Sequence, residues 1–105
     1  MQFDTFGESG YNVKFSPDSM AKHMGVVTGE NYGIAGAGSL IVFDLQNPRN
    51  APIRFKSNVG QTDLAWNKNG DIIATVAADG ALRCSNYFTF IIFVCFGDPE
   101  FFVNF

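Results

Sequence analysis

The sequence is poor in the side chains on which catalysis and metal binding usually rest, with one histidine and two cysteines in 105 residues. His23 sits in a polar stretch with no nucleophile or carboxylate pair at an informative spacing, so acid–base or nucleophilic chemistry has no constellation to stand on. Cys84 and Cys95 have no His or Cys neighbours; this excludes a zinc site and a disulfide framework, and two reduced thiols are expected. Basic runs are absent too. Seven Lys and Arg stand singly against ten Asp and Glu, which leaves no track for a phosphate backbone and makes nucleic acid no expected partner. Residues 1–10 lack the positive charge and apolar core of a secretory signal, so a cytosolic place is expected. No apolar run approaches the ~20 residues of a spanning helix. The cluster Gly36-x-Gly38 has Ile41 where a dinucleotide fingerprint needs glycine, and no Lys-Ser/Thr follows it. No cofactor is expected, no metal, and no enzyme.

What is there is β-structure in regular pieces. The stretch around which the rest is organised is ENYGIAGAGSLIVFDL, residues 30–45. Gly29, Gly33, Gly36 and Gly38 allow positive φ at little cost, and Ser39, Leu40, Ile41, Val42 and Phe43 then supply high β-propensity up to Asp44. Before it, Tyr11, Val13 and Phe15 alternate with Asn12, Lys14 and Ser16, and Pro17 stops that strand. A polar loop to His23 leads into a second strand over 24–28. After a loop with two prolines, residues 53–56 alternate again. Four short strands with no helical period predict one four-stranded antiparallel sheet, and residues 1–9 read as a flexible lead-in.

The pattern then restarts. Residues 62–67 repeat the alternation of 11–16, with Trp66 answering Phe15. Residues 71–76 answer 24–28, and Ala78-Asp79-Gly80 is a tight hairpin turn into a strand beginning at 81–83. The offset is about fifty residues at the first strands and about forty at the third, within the range of a repeated propeller blade.

Three motifs resemble a WD-repeat family, the receptors for the type 2 peroxisomal targeting signal (the peroxin-7 family). Residues 10–17, GYNVKFSP, match the opening strand of that family. Residues 32–38, YGIAGAG, match the turn before its first inner strand. Asp63-Leu64-Ala65-Trp66 with Ala78-Asp79-Gly80 stand where its second repeat begins. The resemblance covers Gly10 to Arg83 as an amino-terminal fragment and implies an all-β fold: one complete blade of a WD-repeat β-propeller and part of a second. It further implies an import receptor that binds matrix proteins bearing an amino-terminal type 2 signal, works with a co-receptor peroxin, and cycles between cytosol and peroxisome. Asp63 and Asn12 are the candidate cargo-binding residues, Asp63 as the carboxylate that would meet a basic residue of the cargo. Asp79, Gly80, Trp66, Phe43, Asp44, Gly33, Gly36 and Gly38 would be structural.

After Arg83 the family pattern stops. Seven of the twelve phenylalanines fall in residues 84–105, a divergent hydrophobic tail. The apolar segment 87–96 has the signature of strands that pair with copies of themselves, or it folds back beside 71–76 to complete the second blade. The expected form is a truncated receptor, inactive alone. A WD-repeat scaffold with another cargo, or a truncated product without activity, are the alternatives.

Overall fold

The computed structural model describes residues 3–17, 22–30, 36–77, 80, 82–86 and, for the backbone, 91–94. Among these residues the regular structure is all strand. The first four strands are β1 (Ser9–Phe15), β2 (His23–Gly29), β3 (Gly38–Asp44) and β4 (Ile53–Ser57). The second four are β5 (Gln61–Trp66), β6 (Ile72–Ala77), β7 (Leu82–Asn86) and β8 (Ile91–Val94). They form two four-stranded sheets in orders β1-β2-β3-β4 and β5-β6-β7-β8, with every neighbouring pair antiparallel. His23, expected in a loop, opens β2, where its N–H donates to Ser16 Oγ at 3.1 Å.

The two sheets pack face to face because the period-2 alternation puts branched residues on one side of each strand. Val27, Leu40, Val42 and Phe55 of the first sheet meet Leu64 and Ile73 of the second, with Ile53 and Trp66 at the margin. Each such side chain contributes about 1.5–3 kcal/mol on burial. Gly38 sets how closely the sheets approach: a Cβ there would lie 2.5 Å from the Gly60 Cα and 2.5 Å from the Thr28 carbonyl oxygen. Of the glycines expected to adopt positive φ, Gly36 does so (φ 90°). Gly38 serves closeness rather than chain reversal, and Gly33 lies outside the described residues.

The opposite face of the first sheet carries Val26, Ile41 and Phe43, and Phe3 packs on them from the lead-in. The Phe3 and Phe43 rings are 4.8 Å apart between centroids. The lead-in, read as flexible, is tied down further along. Glu8 is buried and pairs with Arg54, while its Oε1 accepts from Ser39 Oγ at 2.9 Å and Arg54 Nε donates to Ser39 Oγ at 3.0 Å. Arg54 also lies 4.6 Å over the Phe6 ring. To make this turn Phe6 holds φ 59°, a left-handed conformation that costs an L-residue roughly 1–2 kcal/mol.

At the β1 edge of that face the expected burial is not met: Val13 is 47% and Phe15 56% exposed. Their counterparts Leu64 and Trp66 pack on the first sheet, whereas no sheet among the described residues covers Val13 and Phe15. The second sheet continues past Arg83. Cys84, Ser85 and Asn86 pair with Ala74, Ile73 and Ile72, and β8 pairs with β7, Phe93 opposite Cys84. Within the apolar segment, Ile91–Val94 supplies a fourth strand, on β7 rather than beside β6. Cys84 is fully buried and disulfide-bonded, not the free thiol expected, and its partner lies outside the described residues.

Candidate functional site

Asn12 and Asp63 occupy the same place in consecutive repeats. Each follows a β-bulge, at Gly10/Asn12 in β1 and at Gln61/Asp63 in β5, and bulges re-aim the side chains beside them. In each, Oδ1 accepts the N–H of the following residue at 2.8 Å, Val13 in one case and Leu64 in the other. The pair then closes on itself, since Asn12 Nδ2 donates to Asp63 Oδ1 at 2.8 Å across the junction of the sheets. All these bonds to Asp63 fall on Oδ1. Its Oδ2 has no hydrogen-bond partner among the described residues, and the side chain is exposed. An oriented carboxylate of this kind accepts a charge-assisted bond from a cation without first having to be ordered. The two residues named from the sequence are thus brought together, as neighbours that the chain separates by 51 positions.

Two residues before Asp63 the chain turns inward. Gln61 is fully buried, and its Nε2 donates to Ser57 Oγ at 2.7 Å and to the Val59 carbonyl at 3.0 Å. It lines a cavity of about 240 Å³ between the sheets, with Leu40, Phe55, Thr75, Arg83 and Ser85 among the other walls. Sequence reasoning did not single out Gln61; only its place one step ahead of the second repeat's alternation marks it.

Of the residues expected to be structural, Trp66, Phe43, Asp44 and Gly80 are among those described. Trp66 Nε1 donates to the Lys14 carbonyl at 3.0 Å and stitches β5 to β1. Phe43 is core. Asp44 organises the loop from β3 to β4: Oδ1 accepts the N–H groups of Gln46 (3.0 Å) and Asn47 (3.2 Å), and Oδ2 accepts Asn50 Nδ2 at 3.2 Å. Desolvation pushes the Asp44 carboxyl upward, but the Asn47 and Gln46 N–H groups, the Asn50 amide and the nearby His23 outweigh it and hold it below its ordinary 3.8. Gly80 takes φ 83° and donates its N–H to the Ala77 carbonyl at 3.0 Å; Asp79 lies outside the described residues. Among the described residues no three His, Cys, Asp or Glu gather as a metal would need, and no helix is long and apolar enough to cross a membrane.

Two sheets of four antiparallel strands in up-and-down order, stacked face to face and repeated along the chain, define a blade fragment of a WD-repeat β-propeller. No family model matches the chain. It is 34% identical over 84 residues to the peroxisomal targeting signal 2 receptor of Homo sapiens, covering 75% of this chain and 25% of that protein. The receptor of the same name from Mus musculus is 35% identical over 80 residues (73% of this chain, 24% of that protein). That from Komagataella phaffii is 33% identical over 84 residues (77% and 22%). The resemblance carried by the motifs between residues 10 and 83 is borne out. The chain spans about a quarter of the length of the curated relatives it matches. Those relatives are named as receptors, not as enzymes.

Proposed function

We propose that this chain forms part of a receptor surface for the type 2 peroxisomal targeting signal, working by recognition on a rigid β-scaffold without making or breaking bonds. The observation that carries this reading is the Asn12–Asp63 pair, an exposed carboxylate held in place at the junction of two repeats in a chain similar to receptors of that name. Asp63 meets a basic residue of the cargo and Asn12 fixes the carboxylate's orientation. The cargo is a peroxisomal matrix protein bearing the signal, a co-receptor peroxin joins at the loaded receptor, and the receptor cycles between cytosol and peroxisome. Two blades supply only part of such a face, so the chain alone is expected to bind signal peptide weakly. Affinity is lost with the missing contacts and with the ordering of those that remain.

The test uses a chimera in which residues 10–83 replace the matching segment of the human receptor. Fluorescence anisotropy with a labelled signal peptide should show binding by the chimera. Asp63→Asn keeps an oxygen acceptor for Leu64 N–H and Asn12 Nδ2 and removes only the charge, so the fold is retained. It should weaken binding by about 1.5–3 kcal/mol, the range for hydrogen bonds to charged groups. Unchanged affinity would return Asp63 to a purely structural role. Sub-micromolar binding by the isolated chain would contradict the partial-face reading.

A further inference from the structure

Of the four large apolar side chains exposed among the described residues, three lie on the two outward faces of the stacked sheets. Val13 and Phe15 share the face of the first sheet turned away from the second, beside Val26 and Met24. Val76 follows Thr75, the partner of the inward-facing Leu64, so strand alternation turns it to the outward face of the second sheet, beside Leu82 of β7. The fourth, Phe6, lies under the Arg54 guanidinium.

The two repeats relate these faces to each other. Their registers make Val13 the equivalent of Leu64, Phe15 of Trp66, Gly25 of Ala74 and Val27 of Val76; Leu40 and Leu82 correspond in the same way. In the junction within the chain, Leu64 and Trp66 pack with Val27 and Leu40. Val13 and Phe15 are therefore suited to a face bearing the equivalents of Val27 and Leu40, and the second sheet presents that face outward as Val76 and Leu82. The two faces cannot meet within one chain, because the sheets already stack by their other sides. The volumes agree as well. A methyl at Gly25 would come within 2.8 Å of Leu64 Cδ1 and 3.5 Å of Trp66 Cζ2 and Nε1, so glycine makes room there for a leucine and an indole. Ala74 carries that methyl at the equivalent place, and the residues that would stand against it, Val13 and Phe15, are each smaller than their counterparts. Volume added on one side is removed on the other, which is what dense packing without overpacking requires.

We propose that copies of this chain associate head to tail, the Val13–Phe15 face of one against the Val76–Leu82 face of the next. Such a contact is heterologous and closes into a ring when its rotation allows; about two to four copies would supply the roughly four to eight blades of closed propellers. One bond of the junction within the chain has no counterpart between copies. Trp66 Nε1 donates to the Lys14 carbonyl, and Phe15 has no donor for the corresponding carbonyl. The contact between copies is accordingly the weaker of the two and depends on concentration.

The test is sedimentation velocity of the full chain over a concentration series. The unaltered chain should form a multimer of defined size. Phe15→Lys and Val76→Lys each place an ammonium in the contact and should each raise the concentration needed for association by about tenfold or more. Both positions are exposed in the single chain, so melting followed by circular dichroism should not change; if either variant melts earlier, Phe15→Ser and Val76→Thr serve the same comparison. An equimolar mixture of the two variants should associate again and stop at a dimer, because each still carries one intact face. A monomer at every concentration would leave both faces to further repeats of a longer chain and overturn the proposal. So would association untouched by either substitution, which would place the contact in the apolar tail, or association sensitive to Phe15→Lys alone, which would mean that two β1 faces pair with each other. A mixture that fails to associate would overturn it too. Asn12 and Asp63 are unaltered in every chain, so the outcome does not depend on the role of that pair in cargo binding.

Discussion

Replacing Gly38 by alanine tests how the two sheets are spaced. The added methyl would stand 2.5 Å from the Gly60 Cα, 2.5 Å from the Thr28 carbonyl oxygen and 2.7 Å from the Val59 carbonyl oxygen. All three are backbone atoms, so no rotamer change relieves the contact, and β3 or the segment joining β4 to β5 must move. Overpacking of this kind costs about 1–3 kcal/mol, a large fraction of the roughly 5–15 kcal/mol that holds a domain together. At about 4–8 °C per kcal/mol for a domain near this size, the melting point should fall by at least about 4 °C. Trp66 is the sole tryptophan and stands at the sheet junction, so its emission reports the separation directly. Gly36→Ala is the control: φ 90° there makes the cost conformational, about 1–2 kcal/mol, with no displacement of the sheets. The variant Gly38→Ala should therefore melt earlier and shift Trp66 emission in the native state, and Gly36→Ala should melt earlier without that shift. A Gly38→Ala protein with unchanged melting and emission would refute the close approach.

Arg54→Ala leaves Glu8 buried without its cation, a loss of about 3–5 kcal/mol; urea unfolding should show it, and Glu8→Gln in the same chain should restore part of it. Because the Asp44 carboxyl is held below 3.8 in the fold, its contribution is present at neutral pH and disappears as pH falls through the lowered value. Unfolding midpoints followed downward from pH 6 should decline below about pH 4, and Asp44→Asn should remove that part of the slope. Truncation after Arg83 strips Ile72, Ile73 and Ala74 of their partners in β7 and removes β8, so the second sheet should lose protection in hydrogen exchange; unchanged protection in β6 would show that β7 contributes nothing to it.

The strands themselves were legible because period-2 alternation and turn residues act locally. Residues 11–16, 53–56 and 62–67 lie within one residue of β1, β4 and β5 at their carboxyl ends. The pairing of Asn12 with Asp63 was legible only as two candidates, since equivalence between repeats does not say that equivalents touch. What the sequence did not disclose is non-local. Glu8 reads as one acid in a polar lead-in until Arg54, 46 residues on, is placed beside it. Val13 and Phe15 alternate as correctly as Leu64 and Trp66, yet alternation cannot report whether a second sheet stands opposite. Gly38 looked like a residue for turning, and only the position of Gly60 shows that it is a residue for proximity. The role of Ile91–Val94 as a strand depended on where β7 ended, which no local signal at Arg83 announced.

The inequality between the two faces of the first sheet has a thermodynamic meaning. Among the described residues Leu64 and Trp66 rest on a neighbouring sheet and Val13 and Phe15 do not, so interface energy enters these two sheets from one direction, as between nearest neighbours in an array. Folding of the second sheet then acts on the first as a bound ligand would, at an effective concentration set by the short segment between β4 and β5. Phe3, Phe6 and Glu8 cap the face of the first sheet turned away from the second, standing against β2, β3 and Arg54 of β4. Loosening the cap and loosening the second sheet should therefore be coupled, although the two lie on opposite sides of β3 and never touch.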